Sequence, residues 1–110
     1  MSAHELDRTL AALADPYRRG VVDLLRERPR RAGELAEATK IAFPLMSRHL
    51  KRLRESGLVE EDRDQFDSRV RIYRLRPEPM ADLKLWLEET EALWSRQLTA
   101  FNAHVQKSRK

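Results

Sequence analysis

Apolar residues recur at helical spacing along most of this chain and at strand spacing in one short stretch. Ala3, Leu6, Leu10 and Leu13 stand three or four apart, which places them on one face of a first helix. Asp15-Pro16 then interrupts, and the pair predicts a new start, with Asp15 as cap and Pro16 as first helical residue. That second helix carries Tyr17, Val21, Leu24 and Leu25 and fades over Glu27 to Pro29. A short third helix follows over 32–39 with Leu35 and Ala36 inward, its cap position falling on Arg31 or Ala32, neither a good cap. After a three-residue gap a fourth runs from about Phe43 to Ser56, with Met46, Leu50 and Leu53 on its inward face. Gly57 fits a left-handed stop. Residues 58–63 and 69–76 read as two strands joined by Asp64 to Ser68. Apolar residues occupy both parities of the second strand (Val70, Ile72, Tyr73, Leu75), which calls for a bulge or for partial burial of both faces. Beyond Pro77 and Pro79 a last helix is expected over 80–107, free of Gly and Pro, with Met80, Leu87, Trp94 and Phe101 every seventh residue.

These elements predict a mostly α fold with a β-hairpin wing (α+β), in the order α-α-α-α-β-β-α. The expected architecture is one winged helix-turn-helix domain over 1–110, with the helix-turn-helix at 32–56 and the wing at 58–76. At 1.5 Å per residue the last helix is on the order of 40 Å long, too long for one small domain to cover. Segments 5–14 and 80–107 are therefore expected to dimerise, through Leu6, Leu10, Leu13, Leu83, Leu87, Trp94, Leu98 and Phe101.

Charge sharpens the reading. The chain carries a formal net charge of +4. Between Arg26 and Arg76 there are 14 Lys and Arg against 9 Asp and Glu, so the positive charge gathers around the helix-turn-helix. On the fourth helix Pro44, Ser47, Arg48, Lys51 and Glu55 lie opposite the inward face, as a major-groove reading surface requires. Arg63, Arg69, Arg71 and Arg74 line the hairpin, either to reach a phosphate backbone or minor groove or to form a charged ladder with Glu60, Glu61, Asp62 and Asp64. Arg18 and Arg19, near a helix start that does not favour cations, are expected at a solvated surface or a phosphate.

Other chemistries find little support. There is no cysteine, hence no disulfide and no thiolate metal site, and a reducing cytoplasm is the expected compartment. No apolar run reaches the length of a membrane span or a signal-peptide core. No catalytic triad, paired acid in an apolar setting or Gly-rich phosphate loop appears, so an enzyme is not expected.

The stretches L-A-D-P-Y-R-R-G-V-V-D-L-L (13–25), A-G-E-L-A-E (32–37), M-S-R-H-L-K-R-L-R-E-S-G-L-V (46–59) and R-I-Y-R-L (71–75) resemble the ArsR/SmtB family of winged helix-turn-helix regulators in content, order and spacing. The resemblance covers roughly residues 5 to 107. It implies a repressor that binds an inverted-repeat operator in double-stranded DNA as a homodimer. It also implies Ser47 and Arg48 as exposed reading residues, His49, Lys51 and Arg54 as positions that pack or touch the backbone, and Arg69 and Arg71 as wing contacts. The full expected DNA-binding set is Phe43, Pro44, Ser47, Arg48, His49, Lys51, Arg52, Arg54, Arg63, Arg69 and Arg71. Where the family usually has a Ser-like cap and a polar residue, this chain has Ala42 and Phe43, and Leu45 is larger than usual. Phe43 would touch a thymine methyl or fill the turn. Without cysteines, and with no zinc-type ligand near His104 on its own helix, the chain is similar to the metal-independent, SdpR-like branch, with no metal or other cofactor expected. A small-molecule or protein effector stays open. The rival reading is a winged-helix module for protein binding, motivated by Phe43, Leu45 and Phe66 near the DNA face.

Overall fold

The computed structural model describes residues 3–108, so the ends of the domain expected over 1–110 (Met1, Ser2, Arg109 and Lys110) lie outside the described residues. The elements follow as α1 (Ala3–Leu13), α2 (Pro16–Glu27), β1 (Arg30–Arg31), α3 (Ala32–Thr39), α4 (Phe43–Glu55), β2 (Val59–Arg63), β3 (Arg71–Leu75) and α5 (Pro77–Ser108). The winged helix-turn-helix order is as expected, with one addition. The two-residue β1 pairs antiparallel with β3, opposite Tyr73 and Ile72, and makes a three-stranded sheet in the order β1-β3-β2. Two arginines after a proline carry no strand signal, so only the pairing partner reveals β1.

Strand β3 is thus central. It pairs with β2 without interruption from Val59 opposite Leu75 to Arg63 opposite Arg71. No bulge is needed: Tyr73 is buried while Ile72 and Leu75 are half-buried, so both faces are partly covered.

The core forms where α2, α3, α4 and the sheet converge. Val21, Val22 and Leu25 of α2, Leu35 of α3 and Met46, Leu50 and Leu53 of α4 are buried there with Ile41, Leu58, Val59 and Tyr73. Two expected faces are displaced. On α2, Val22 is buried while Tyr17 lies out in solvent. On α1, Thr9 and Ala12 turn inward and Leu10 outward. Thr9 is tolerated there because its hydroxyl donates to the Glu5 carbonyl at 3.0 Å.

The helix ends show how the frame is tied. Asp15 caps α2, accepting from the Tyr17 and Arg18 amides at 2.8 and 3.2 Å. Arg19 is exposed, as a solvated surface requires, and Arg18 is half-buried, and both have carbonyl partners. Arg18 donates to the Ala12 and Ala11 carbonyls at 2.7 and 3.1 Å, and Arg19 to Leu13 at 2.6 Å, so they satisfy the last turn of α1. On α3 the Glu34 carboxylate reaches back to the Arg31 amide at 3.4 Å, supplying a cap that Arg31 cannot. Lys40 ends α3 in the left-handed conformation, φ 57°, and the Ile41 amide closes onto the Ala36 carbonyl at 3.1 Å. That αL residue turns the chain from α3 into α4.

A side chain at an αL position carries a steric cost that glycine avoids, partly offset by glycine's larger unfolded-state entropy. Lys40→Gly is expected to stabilise the fold by about 0.5 kcal/mol, the difference between those two terms. A urea unfolding curve with an unmoved or lower midpoint would contradict this account of the turn.

Candidate nucleic-acid interface

Helix α4 divides its residues sharply. Met46, Leu50 and Leu53 are fully buried, and this fixes the rotation of the helix. Phe43, Pro44, Leu45, Ser47, Arg48, Lys51 and Arg52 consequently stand in solvent on the other side. Arg48 and Arg52 form no ion pair among the described residues, and Lys51 has only a loose one with Glu55 at 4.0 Å. Ala42 precedes the helix without a side-chain cap, so the first turn keeps its amides uncapped apart from Pro44, which has none.

His49 is different from its neighbours. It stands in the expected DNA-binding set as a position that packs or touches the backbone, and at only 7% exposure it packs. Its ring stands 6.0 Å from that of Tyr17, tilted by 34°, so the two rings meet at the joint between α2 and α4. The helical pattern explains this, since His49 lies three residues after Met46, beside Leu50 on the inward side.

The wing arginines are largely engaged. Glu61 on β2 accepts from Arg54 of α4 at 2.7 Å, from Arg71 of β3 at 2.8 Å and from the Tyr73 hydroxyl at 3.1 Å. This carboxylate therefore ties α4 to the sheet, and Arg54 and Arg71 meet at it. Arg69 grips Asp67 of its own loop at 3.1 Å. Arg74 pairs with Asp62 at 3.0 Å. Arg63 makes no ion pair among the described residues. The charged ladder thus describes most of the hairpin. Both partners of the Arg69 pair are well solvated, so that pair costs little to exchange for phosphate.

The loop between the strands is held from both ends. Asp64 is buried, accepts from Arg31 at 2.7 Å and from the Phe66 amide at 2.9 Å, and its own amide donates to the Val70 carbonyl. Arg31 thereby pins the wing to the start of α3. No local signal marks this link, since 33 residues separate its partners. Phe66 projects from the loop at 91% exposure.

The expected dimer set divides in two. Leu13 packs on the protomer's own core, and Leu6 and Leu83 are half-buried. Leu10, Leu87, Trp94, Leu98 and Phe101 are exposed, the two aromatics at 58% and 61%. Helix α5 begins at Pro77, three residues before the expected start. Its 32 residues carry no buried side chain and run about 48 Å by the helical rise. The molecule accordingly measures 73 × 27 × 23 Å. Among the described residues no three His, Asp or Glu side chains cluster as a metal site would need, with His4 and His104 both exposed on separate helices. No described helix is long and apolar enough to cross a membrane.

The short third helix, the αL turn, the exposed face of α4 and the paired hairpin define a winged helix-turn-helix domain. The profile of the bacterial regulatory protein arsR family matches residues 15–61, the segment from the α2 cap through most of β2. The HTH-type transcriptional regulator Rv2034 of Mycobacterium tuberculosis is 37% identical over 95 residues, covering 86% of this chain and 83% of that protein. The HTH-type transcriptional repressor SmtB of the same species is 40% identical over 76 residues, 69% of this chain but 54% of that protein. In structure, the homodimeric winged helix-turn-helix DNA-binding domain Mb0332 of Mycobacterium bovis superimposes with a TM-score of 0.64 at 28% identity, covering 81% of this chain and 80% of that one. The chain belongs to the ArsR family of transcriptional regulators.

Glu61 also leaves a spectroscopic mark. Desolvation raises the Tyr73 phenol above its usual value, and the nearby Glu61 charge and hydrogen bond raise it further. In a Tyr17→Phe background, absorbance titration is expected to place Tyr73 above pH 10, and Glu61→Gln is expected to bring it down. Coincident titrations would show that Glu61 does not act on the phenol.

Proposed function

We propose that this chain is a sequence-specific transcriptional repressor of the ArsR type, acting in the cytoplasm on an inverted-repeat operator as a homodimer and without a metal. One observation carries the reading: α4 buries Met46, Leu50 and Leu53 and thereby holds Ser47, Arg48, Lys51 and Arg52 outward on one rigid face. Such a face fits a major groove. Arg48 is suited to a bidentate guanine contact and Ser47 to a base edge or phosphate, while Lys51 and Arg52 supply phosphate contacts. Phe43 and Pro44, at the start of the helix, bring apolar surface that suits a thymine methyl. Arg63 and Arg69 extend the contact from the wing, with Arg54 and Arg71 in reserve behind Glu61.

The homodimer reading rests on α5, whose large apolar residues from Leu85 to Phe101 stand exposed. Pairing α5 and α1 with a second copy would bury Leu10, Leu87, Trp94, Leu98 and Phe101. It would also set two recognition helices about 34 Å apart, one turn of DNA. Occupation of such a site at a promoter excludes polymerase, which is the simplest route to repression.

A second reading, a winged-helix module for binding proteins, draws on the exposure of Phe43, Leu45 and Phe66. The two part on salt and on Arg48. A DNA surface loses affinity steeply with ionic strength, while an apolar protein contact does not.

Fluorescence anisotropy with DNA from upstream of the chain's own gene, against scrambled DNA at two salt concentrations, tests the proposal. Tight, salt-sensitive and selective binding is expected, unaffected by EDTA, with Arg48→Ala weakening it by about 1–3 kcal/mol. Equal and weak binding to both DNAs would transfer the weight to the protein-binding reading. Trp94→Asp is expected to give monomers in sedimentation, because a charge would enter the apolar seam. An intact dimer would sink the proposed interface.

A further inference from the structure

A groove of about 620 Å³ opens between the last turn of α2, the end of β3 and the first turn of α5. Its volume falls in the range of small-molecule sites, about 300–1,000 Å³. Leu25, Pro29, Leu75, Pro77 and Met80 supply its walls, all aliphatic or thioether, with no aromatic ring for a flat ligand to stack on. Around them stand Arg26, Arg28, Arg74 and Arg76 against the single acid Glu27.

Three of these arginines are available, while Arg74 already holds Asp62 at 3.0 Å. Arg26 meets Asp23 at 3.5 Å, Arg28 meets Glu34 at 3.0 Å and Arg76 meets Glu78 at 3.7 Å, all between largely solvated groups that exchange partners at small cost. The buried Nε of Arg74 makes no hydrogen bond, and the Glu60 carboxylate stands 3.8 Å from it, beyond hydrogen-bonding reach.

We infer that this groove binds an aliphatic carboxylate of medium chain length, its chain against Leu25, Leu75 and Met80 and its carboxylate between Arg28 and Arg76. The pairing follows from the two halves of the site. Apolar walls favour a chain over water, and guanidinium forks favour a planar oxyanion over an alcohol or an amine. The groove joins the DNA-reading half of the domain to α5, so its occupant would bridge the two. The inference does not depend on the DNA reading, and its test needs no DNA.

The test is a methyl NMR titration of the full chain with decanoate, kept below micelle formation, beside decanol and decylamine. Saturable shifts of the Met80, Leu25 and Leu75 methyls are expected with decanoate, about tenfold weaker binding with decanol, and none with decylamine. Arg28→Gln and Arg76→Gln, with unchanged circular dichroism, are each expected to weaken decanoate by several fold while leaving decanol alone. Unmoved groove methyls, shifts confined to Leu93 and Leu98 of the exposed part of α5, or equal affinity for decanoate and decylamine would each overturn the inference.

Discussion

The fold turns on the burial of three side chains of α4. Met46, Leu50 and Leu53 reach full burial against α2, α3 and the sheet, and each contributes about 1.5–3 kcal/mol by leaving water. Rotating α4 about its axis would expose all three at once. The direction in which Ser47, Arg48 and Lys51 point is therefore set by the core rather than by contacts of their own. A DNA-reading surface needs that rigidity, because base contacts carry specificity only when the side chains arrive in register. The αL turn at Lys40, the Tyr17 and His49 rings and the Glu61 bridge to Arg54 then hold the same helix from its other sides.

Electrostatics sorts the many arginines of this chain into different jobs. Arg18 and Arg19 close the end of α1, Arg31 anchors the wing through buried Asp64, and Arg54 and Arg71 share Glu61. Arg48, Arg52 and Arg63 are left without ion-pair partners among the described residues. Net charge alone would rank all of these alike. Only the neighbouring carboxylates and carbonyls distinguish an arginine that stabilises the frame from one with its donors free.

Helix α5 presents the opposite economy to α4. Its apolar residues recur every seven positions, yet none is buried, and the helix extends well past the body that the other elements build. A 32-residue amphipathic helix with Trp94 and Phe101 in water is an incomplete structure by the measure of apolar burial. Such a surface is satisfied most economically by a copy of itself, because symmetry doubles every favourable contact.

Much of this was legible in the residues. The helix limits of α2, α3 and α4, the hairpin and the existence of a long last helix, though not its start at Pro77, follow from Asp15-Pro16, Gly57 and the three- and four-residue spacing of apolar positions, all of which act within a few residues. The outward set Ser47, Arg48 and Lys51 follows from the same periodicity. What periodicity could not decide was anything that joins distant segments. Strand β1 exists because β3 lies beside it, and Arg31 finds Asp64 across 33 residues. Val22 replaces Tyr17, and Thr9 with Ala12 replaces Leu10, because the position of each neighbouring helix sets which degrees of its arc are covered. Local spacing determines which elements form and roughly which face is apolar. Only the packed tertiary structure decides which edge of that face meets the core and which charges find partners, because those outcomes depend on distances between residues far apart in the chain.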